Sequence, residues 1–368
     1  MASLSFFTNQ TVTNMTIKGP SHANKSANEP SFTDYDCRSF SYALLMLAGG
    51  YILVILVGLF GNICLIHIIR LKKETHNVTN LLIANLSLSD VVICTMCIPF
   101  TVVYTLMDYW IFGETMCRVS NFVQCLSVSV SSFSLVLIAI ERYQLIAKPQ
   151  GWRPNISQAY WGITFIWLGS ATLSAPFLVF YHLTDEPFRN ISHSFYKDKY
   201  VCIDSWPSEW SRLGFTTCLL GVQYFAPLCF IFICYAKVFV CLRRHSGLRE
   251  SESRLSESKR ISAILASIVV AFAICWMPLN IFNLIFDWHH EALLSCHHNL
   301  LFTFCHLVAM VSTCINPVFY GLLNKNFQKD LNNIMRQWKC DSGPEEYENI
   351  RMSLKHKETS QETAEGQH

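Results

Sequence analysis

"YALLMLAGGYILVILVGLFGNICLIHII", residues 42–69, contains no Asp, Glu, Lys or Arg. A bilayer's hydrocarbon core is crossed by about 20 mostly apolar residues of helix, so this stretch is long enough to span one. A single such run also suits the buried helix of a soluble protein. Six more follow, at 80–107, 117–141, 159–180, 213–242, 261–286 and 299–323, separated by short polar segments. Seven in succession leave no soluble reading. Lipid offers peptide groups no hydrogen-bond partner, so each run is predicted to be a helix. The expected fold class is an all-α membrane protein, a seven-transmembrane helix bundle.

Composition agrees. The 368 residues are 51% hydrophobic and only 15% charged, with a mean hydropathy of +0.29. A soluble domain carries about a quarter charged residues. The net charge of +2 says little, because charge is segregated along the chain. Sixteen cysteines are too scattered for a small disulfide scaffold. The start, MASLSFFTNQTVTNMTIKG, has neither a basic n-region nor a sustained apolar h-region, so no cleaved signal peptide is expected.

Lys and Arg set the orientation. Arg70, Lys72 and Lys73 follow span 1; Lys148 and Arg153 follow span 3; Arg243, Arg244, Arg249, Arg254, Lys259 and Arg260 follow span 5. The connections after spans 2 and 6 carry none. The positive-inside rule then puts the N-terminus outside and the C-terminus in the cytoplasm. Four glycosylation sequons fall outside, at Asn9, Asn14, Asn24 and Asn190. Those at Asn77 and Asn155 fall inside, and that at Asn85 within span 2, so these three are expected to stay bare. Cys37, Cys117, Cys202 and Cys296 face the oxidising side and allow three disulfide pairings. The other cysteines, including the Cys94-x-x-Cys97 pair in an apolar helix, read as structural thiols.

The chain divides into an extracellular tail (1–41), the bundle (42–323), an amphipathic segment (324–340) and a polar cytoplasmic tail (341–368). In 324–340, Phe327, Leu331, Ile334, Met335 and Trp338 oppose basic and amide residues, which predicts a short eighth helix lying on the membrane. Cys340 is the candidate palmitoylation site beside it. The tail's composition predicts disorder, with Ser342, Ser353, Thr359, Ser360 and Thr363 as candidate phosphosites.

Polar groups at membrane depth are expensive and therefore informative. Asp90 lies mid-span, and Asn62 and Asn316 are placed to complete a polar cluster with it. The cluster is either a satisfied hydrogen-bond node or a sodium or water site. Glu141 and Arg142 adjoin at the inner end of span 3, where a snorkelling pair is the bland reading. Pro278 and Pro317 each remove a helical hydrogen bond and are expected to kink spans 6 and 7.

Asn62, Asp90, Arg142 in "ERY", Trp167, Pro227, "CWMP" (275–278) and "NPVFY" (316–320) occur one per span and in order. This set resembles the rhodopsin-like (class A) G-protein-coupled receptors over residues 42–338. The triplet Glu141-Arg142-Tyr143 departs mildly from the commoner Asp-Arg-Tyr but keeps a carboxylate beside the arginine. The stretches "FTVVYTLMDYWIFGETMC" (100–117), "RPNISQAYWG" (153–162), "YKDKYVC" (196–202), "FDWHHE" (286–291) and "CHHNLLF" (296–302) are similar to the neuropeptide Y, peptide YY and pancreatic polypeptide receptors.

That resemblance implies an amidated peptide ligand with an Arg-containing end and a C-terminal tyrosinamide. It implies Asp287 as partner of a ligand arginine, which a carboxylate meets in bidentate geometry. Asp108, Asp198 and Asp204 are secondary candidates for other ligand charges, on outer loops whose acidity would steer a cation. Gln124, Gln223, Asn283, His306 and Tyr104, with Phe282 and Phe286 at helical spacing, are expected to make an amide-lined, aromatic-walled pocket. Receptors for small amines carry an aspartate where Gln124 stands, which speaks against an amine ligand.

The implied mechanism is a population shift. Trp276 and Pro278 would pass a movement of span 6 inward, and Glu141, Arg142, Tyr143, Asn316, Pro317 and Tyr320 would act as switch residues. The implied partners are a heterotrimeric G protein of the Gi/o class that inhibits adenylyl cyclase, arrestin and membrane lipid, at the plasma membrane. No nucleic-acid partner is implied. The alternatives are a class A receptor for another amidated, Arg-containing peptide, or a transporter, although no internal repeat is visible. No HExxH or G-x-S-x-G motif supports an enzyme.

"FDWHHEALLSCHHNL" (286–300) offers seven metal-ligand side chains in fifteen positions. Adjacent His-His pairs on a short loop do not by themselves give a tetrahedral zinc site, so no metal and no cofactor beyond the sodium reading is expected. Cys296 is instead expected to pair with Cys37, tying the tail over the pocket, and Cys117 with Cys202. His289, His290, His297 and His298 receive no role.

Overall fold

The computed structural model describes residues 32–71, 77–107, 109–148, 151, 153–186, 198–245, 252–288, 298–323, 328, 329 and 332, with no side-chain description for 32–41, 245, 252–255, 298 and 321–323. Seven helices are long and apolar enough to cross a membrane: spans 1 (Tyr42–Leu71), 2 (Val78–Met107), 3 (Gly113–Ala147), 4 (Ile156–Phe180), 5 (Glu209–Arg244), 6 (Ser256–Trp288) and 7 (Asn299–Tyr320). The tail sequons, Asn190, Asp108, Cys296, most of the histidine-rich stretch, Phe327 and Cys340 lie outside the described residues, as do most of the eighth helix and the whole of 341–368.

Hydropathy found the spans but set their ends short. Span 3 begins four residues before 117 and runs six beyond 141. Helices continue past the apolar window until a cap or a loop stops them, and the caps are legible residues. Asn77 accepts the Thr79 N–H at 3.1 Å at the start of span 2. Asn155 and Gln158 form a reciprocal capping box at span 4, and Ser208 caps span 5.

Spans 1, 2, 3, 5, 6 and 7 pack in sequence around a ring that closes from 7 to 1, and span 4 lies against 2 and 3. Span 3 runs through the centre: 67% of its apolar window is buried, against 17% for span 4. Its inner positions are small. Ser127, Ser129, Ser131, Ser132 and Ser134 are all buried, which lets neighbouring backbones approach closely. Ser129 and Ser134 donate to carbonyls four residues back, and Ser134 also accepts from Asn85 at 2.8 Å.

The helices are broken where sequence chemistry requires it. Cys97 interrupts span 2 just before Pro99, and Ala175 interrupts span 4 before Pro176. A π-helical turn, Gly221–Phe225, precedes Pro227 in span 5. Span 6 runs unbroken through Pro278, whereas span 7 is interrupted at Val311, before the segment holding Pro317.

A feature the apolar pattern did not announce lies between spans 4 and 5. Two four-residue strands, β1 (Tyr181–Thr184) and β2 (Val201–Asp204), pair antiparallel with Leu183 opposite Cys202. A Cys117–Cys202 disulfide ties β2 to the outer end of span 3. Beneath the hairpin, Tyr104, Trp110, Phe177 and Tyr181 form a buried aromatic core, and the Trp110 N–H donates to the Tyr200 carbonyl at 2.8 Å. Backbone contacts divide the chain into one unit ending at Phe319 and a second beginning at Tyr320; only the end of the last helix and three further residues of the second are described.

Candidate functional site

At the hairpin end, spans 3, 5, 6 and 7 surround a cavity of about 100 Å³ that opens to solvent. Trp276 lies in its lining, with the indole N–H donated to Ser312 at 3.1 Å. Gln124, Asn283 and His306 contribute polar wall, and Phe302 with Leu279 contributes apolar wall. Asp204 and Asp287 stand at the outer rim.

His306 is buried with a partner on each ring nitrogen. Gln124 Nε2 lies 3.2 Å from His306 Nε2, and Tyr51 Oη lies 2.8 Å from His306 Nδ1. Tyr51 also donates to the Thr303 carbonyl at 3.0 Å. A phenol has one proton, so the arrangement that satisfies every group runs one way. Gln124 donates to Nε2, Nδ1–H donates to Tyr51, and Tyr51 donates to Thr303. The imidazole is thereby held neutral, bracing spans 1, 3 and 7 together.

Asn283 differs. Its amide oxygen is buried without a hydrogen-bond partner and the residue lines the cavity. An unpaired buried acceptor costs on the order of 1–3 kcal/mol, which a ligand donor recovers. Gln223 also lines the cavity, but its amide donates to Ser129 at 2.5 Å and to the Cys125 carbonyl at 3.3 Å, so it braces the π-turn against span 3.

Asp287 is almost fully buried and already paired: Arg212 Nη1 of span 5 lies 3.3 Å from its Oδ1. The neighbouring Tyr181 phenol is held well above its usual range, first by burial and then by the charges of Asp204 and Asp287. Among the described residues the rim therefore carries two carboxylates, Asp204 and Asp287, with Arg212 paired to the second.

The expected site residues thus divide. Gln124, Gln223, Asn283, His306, Asp204 and Asp287 share one cavity. Phe282 and Phe286 stack behind it, with Phe282 packed on Phe302 at 5.7 Å. Tyr104 sits in the aromatic core under the hairpin instead, edge-on to Trp110 at 5.5 Å.

Comparison with known proteins matches residues 61–320 to the family described as 7 transmembrane receptor (rhodopsin family). Neuropeptide Y receptor type 6 of Oryctolagus cuniculus is 57% identical over 343 residues, covering 91% of this chain and 92% of the relative. The type 6 receptor of Mus musculus is 54% identical, covering 96% and 95%, and the type 1 receptor of Xenopus laevis is 53% identical, covering 88% and 90%. The chain belongs to the neuropeptide Y receptor family. It is a receptor and not an enzyme.

In this family member the residues expected to act as a switch are paired at the opposite end of the bundle. Arg142 Nε lies 2.9 Å from Glu141 Oε2, and its terminal nitrogen donates to the Thr79 hydroxyl. Thr79 in turn donates to Glu141 Oε1 at 2.7 Å. Thr79 is a missed residue: a lone threonine at the start of span 2 carries no sequence signal, and only packing makes it the relay. Tyr143 is flanked by the Lys148 and Lys237 ammonium groups at 5.8 and 5.7 Å from its ring centre. Tyr320 belongs to the second unit.

Of the three residues expected to cluster, the structure brings Asp90 and Asn316 together. Asn316 Nδ2 donates to Asp90 Oδ2 at 2.6 Å. Asn62 does not join it: both protons of its amide go elsewhere, to the carbonyls of Gly58 and Thr313, each at 2.8 Å. The reason lies four residues past Thr313. Pro317 has no N–H to give the Thr313 carbonyl, and Asn62 supplies the missing donor from span 1. A sodium ion fits the residues left around Asp90. A small cavity there is lined by Asp90, Ser131, Ser312 and Asn316, and the Asn316 amide oxygen is buried without a partner. Among the described residues no group of three or more His, Cys, Asp or Glu is placed to hold a metal.

Asn280 lines the cavity, and Arg212 and Tyr51 pair with lining residues from outside it; none of the three is among the residues expected from the sequence. Arg212 adjoins a loop of mixed charge and Tyr51 lies in an apolar span, and neither has a spacing signature.

Proposed function

We propose that this receptor binds an amidated peptide of the neuropeptide Y family (neuropeptide Y, peptide YY or pancreatic polypeptide) at the cell surface and signals through Gi/o to inhibit adenylyl cyclase. The observation that carries the reading is a buried carboxylate, Asp287, at the rim of a pocket whose deeper wall offers the unpaired amide of Asn283. A guanidinium at the rim and a carboxamide below it match that order. Gln124, Gln223, His306 and Asp204 line the peptide's path, and Asp108 is a further candidate for a ligand charge. Ligand favours one packing of the bundle over another. Trp276 and Pro278 pass the shift to span 6, and Arg142 leaves Glu141 and Thr79 as a G-protein helix enters.

In this reading the N-terminus is extracellular, carrying glycans at Asn9, Asn14 and Asn24, with another at Asn190. Cys37–Cys296 ties the tail over the pocket, Cys340 is palmitoylated beside an eighth helix, arrestin binds the inner face, and sodium at Asp90 favours the resting packing. Membranes expressing the chain should bind radiolabelled neuropeptide Y and stimulate nucleotide exchange on Gi/o. Binding without exchange on any G protein would sink the mechanism. Displacement by an unrelated amidated Arg-peptide, but by none of the three named peptides, would favour the wider class A reading. Asp287→Ala should weaken peptide binding by about two orders of magnitude, as expected for losing one partner of a buried charge pair; unchanged affinity would remove Asp287 from the site.

A further inference from the structure

We propose that Arg212 is a resident stand-in for the ligand's guanidinium, occupying the Asp287 subsite until an arginine-bearing peptide exchanges with it. This rests on the reading of Asp287 as the partner of a ligand arginine. The Asp287 side chain is 5% exposed and that of Arg212 20%. A carboxylate buried that deeply needs a counter-charge, and Arg212 supplies it. The supply is loose. The closest approach is 3.3 Å, against the roughly 2.7–2.9 Å of a good charge-assisted bond. A ligand guanidinium approaching through the open cavity can do better.

The displaced side chain has somewhere to go. Arg212 itself lines a second hollow of about 310 Å³, open to solvent, with Asp204, Ser205, Trp206, Ser208 and Glu209. Two carboxylates wait there, and Asp204 and Trp206 border both cavities. Exchange of one guanidinium for another keeps Asp287 paired throughout. A peptide with a neutral side chain at that position meets a filled subsite, and an ammonium offers a point charge without the planar fork. Arg212 therefore keeps Asp287 paired in the empty receptor, at a cost in affinity for the arginine-bearing ligand.

The test is a binding cycle in full-length receptor in membranes. The probes are an amidated Arg-containing peptide of the family and its citrulline-substituted twin, whose side chain is neutral. Arg212→Gln should tighten the arginine peptide about three- to tenfold, the size expected for releasing a loosely held, largely buried ion pair. It should leave the citrulline peptide unchanged, and the gain should vanish in R212Q/D287N. Arg212→Lys should give a smaller gain. No gain, or weaker binding of the arginine peptide alone, overturns the proposal. If R212Q does not reach the surface, R212K decides alone, and no gain there overturns it. Thermal unfolding of the solubilised, peptide-free receptor tests the latch without any ligand. R212Q and D287N should each lower the midpoint, and the double variant should be no worse than D287N; additive losses overturn the latch. A wild-type receptor that binds no such peptide while the unfolding cycle is non-additive would reject the functional reading and keep the latch.

Discussion

Asn62 carries the clearest lesson at the scale of single residues. Its two amide protons go to the Gly58 and Thr313 carbonyls, and the second of these is free only because Pro317 cannot donate to it. Asn62→Leu should therefore lower stability by about 1–3 kcal/mol, the cost of an unpaired buried polar group. In N62L/P317A the residue at 317 regains an N–H, so the double variant should lose less than the sum of the singles. Thermal melts of the solubilised receptor read both, and strict additivity would detach the two residues. Tyr51→Phe should cost about 1 kcal/mol, because His306 Nδ1–H loses its acceptor; an unchanged melt would mean the chain through His306 runs otherwise. Asp90 and Asp287 were legible as residues to watch, since charge at membrane depth or at a pocket rim is rare. Their partners were less so. Arg212 lies 75 residues from Asp287 and Thr79 62 from Glu141, and no local pattern encodes such pairings.

Elements show where close packing is written into the sequence. A Cβ on Gly61 would sit 2.7 Å from the Pro317 ring, and one on Gly49 would meet nothing within 4 Å. Gly61→Val should accordingly cut surface expression severely while Gly49→Ala leaves it unchanged, as counted by an epitope tag; equal effects would show that spans 1 and 7 can separate freely. Asn155→Ala removes a capping box and should cost about 0.5–2 kcal/mol at the start of span 4. The sequons expected to stay bare turn out to have structural employment. Asn77 and Asn155 are helix caps, and Asn85 bonds Ser134 and Trp167 inside the bundle. The spans themselves were legible because each had to be apolar for its whole length. Their ends were not, because hydropathy averages over the polar first and last turns. The hairpin was hidden for another reason: four residues per strand are too few for alternation to stand out, and its register depends on a disulfide to span 3.

For the whole molecule, the number of spans could be counted from the sequence, but their arrangement around span 3 could not. The run of serines was visible; that it faces inward from the central helix is a fact of packing. The Cys117–Cys202 bond joins this central helix to the hairpin that walls the pocket. A Cys117→Ser/Cys202→Ser receptor should lose at least tenfold in peptide affinity even when enough reaches the surface to measure; wild-type affinity would mean the hairpin holds its place by the aromatic core alone. The same wall has a bearing on the ligand's manufacture. Among the described residues, the cavity lining includes two aspartates and no lysine or arginine, and its one histidine is occupied at both nitrogens. A peptide released with a free carboxylate at its end would bring a negative charge to a wall whose own charges are aspartates, and the guanidinium beside them, Arg212, is already paired with Asp287. A competition assay with the free-acid peptide should show affinity at least a hundredfold below that of the amide. The cell that makes the hormone would then control its signal at the last step of maturation, since everything short of amidation would pass this receptor in silence.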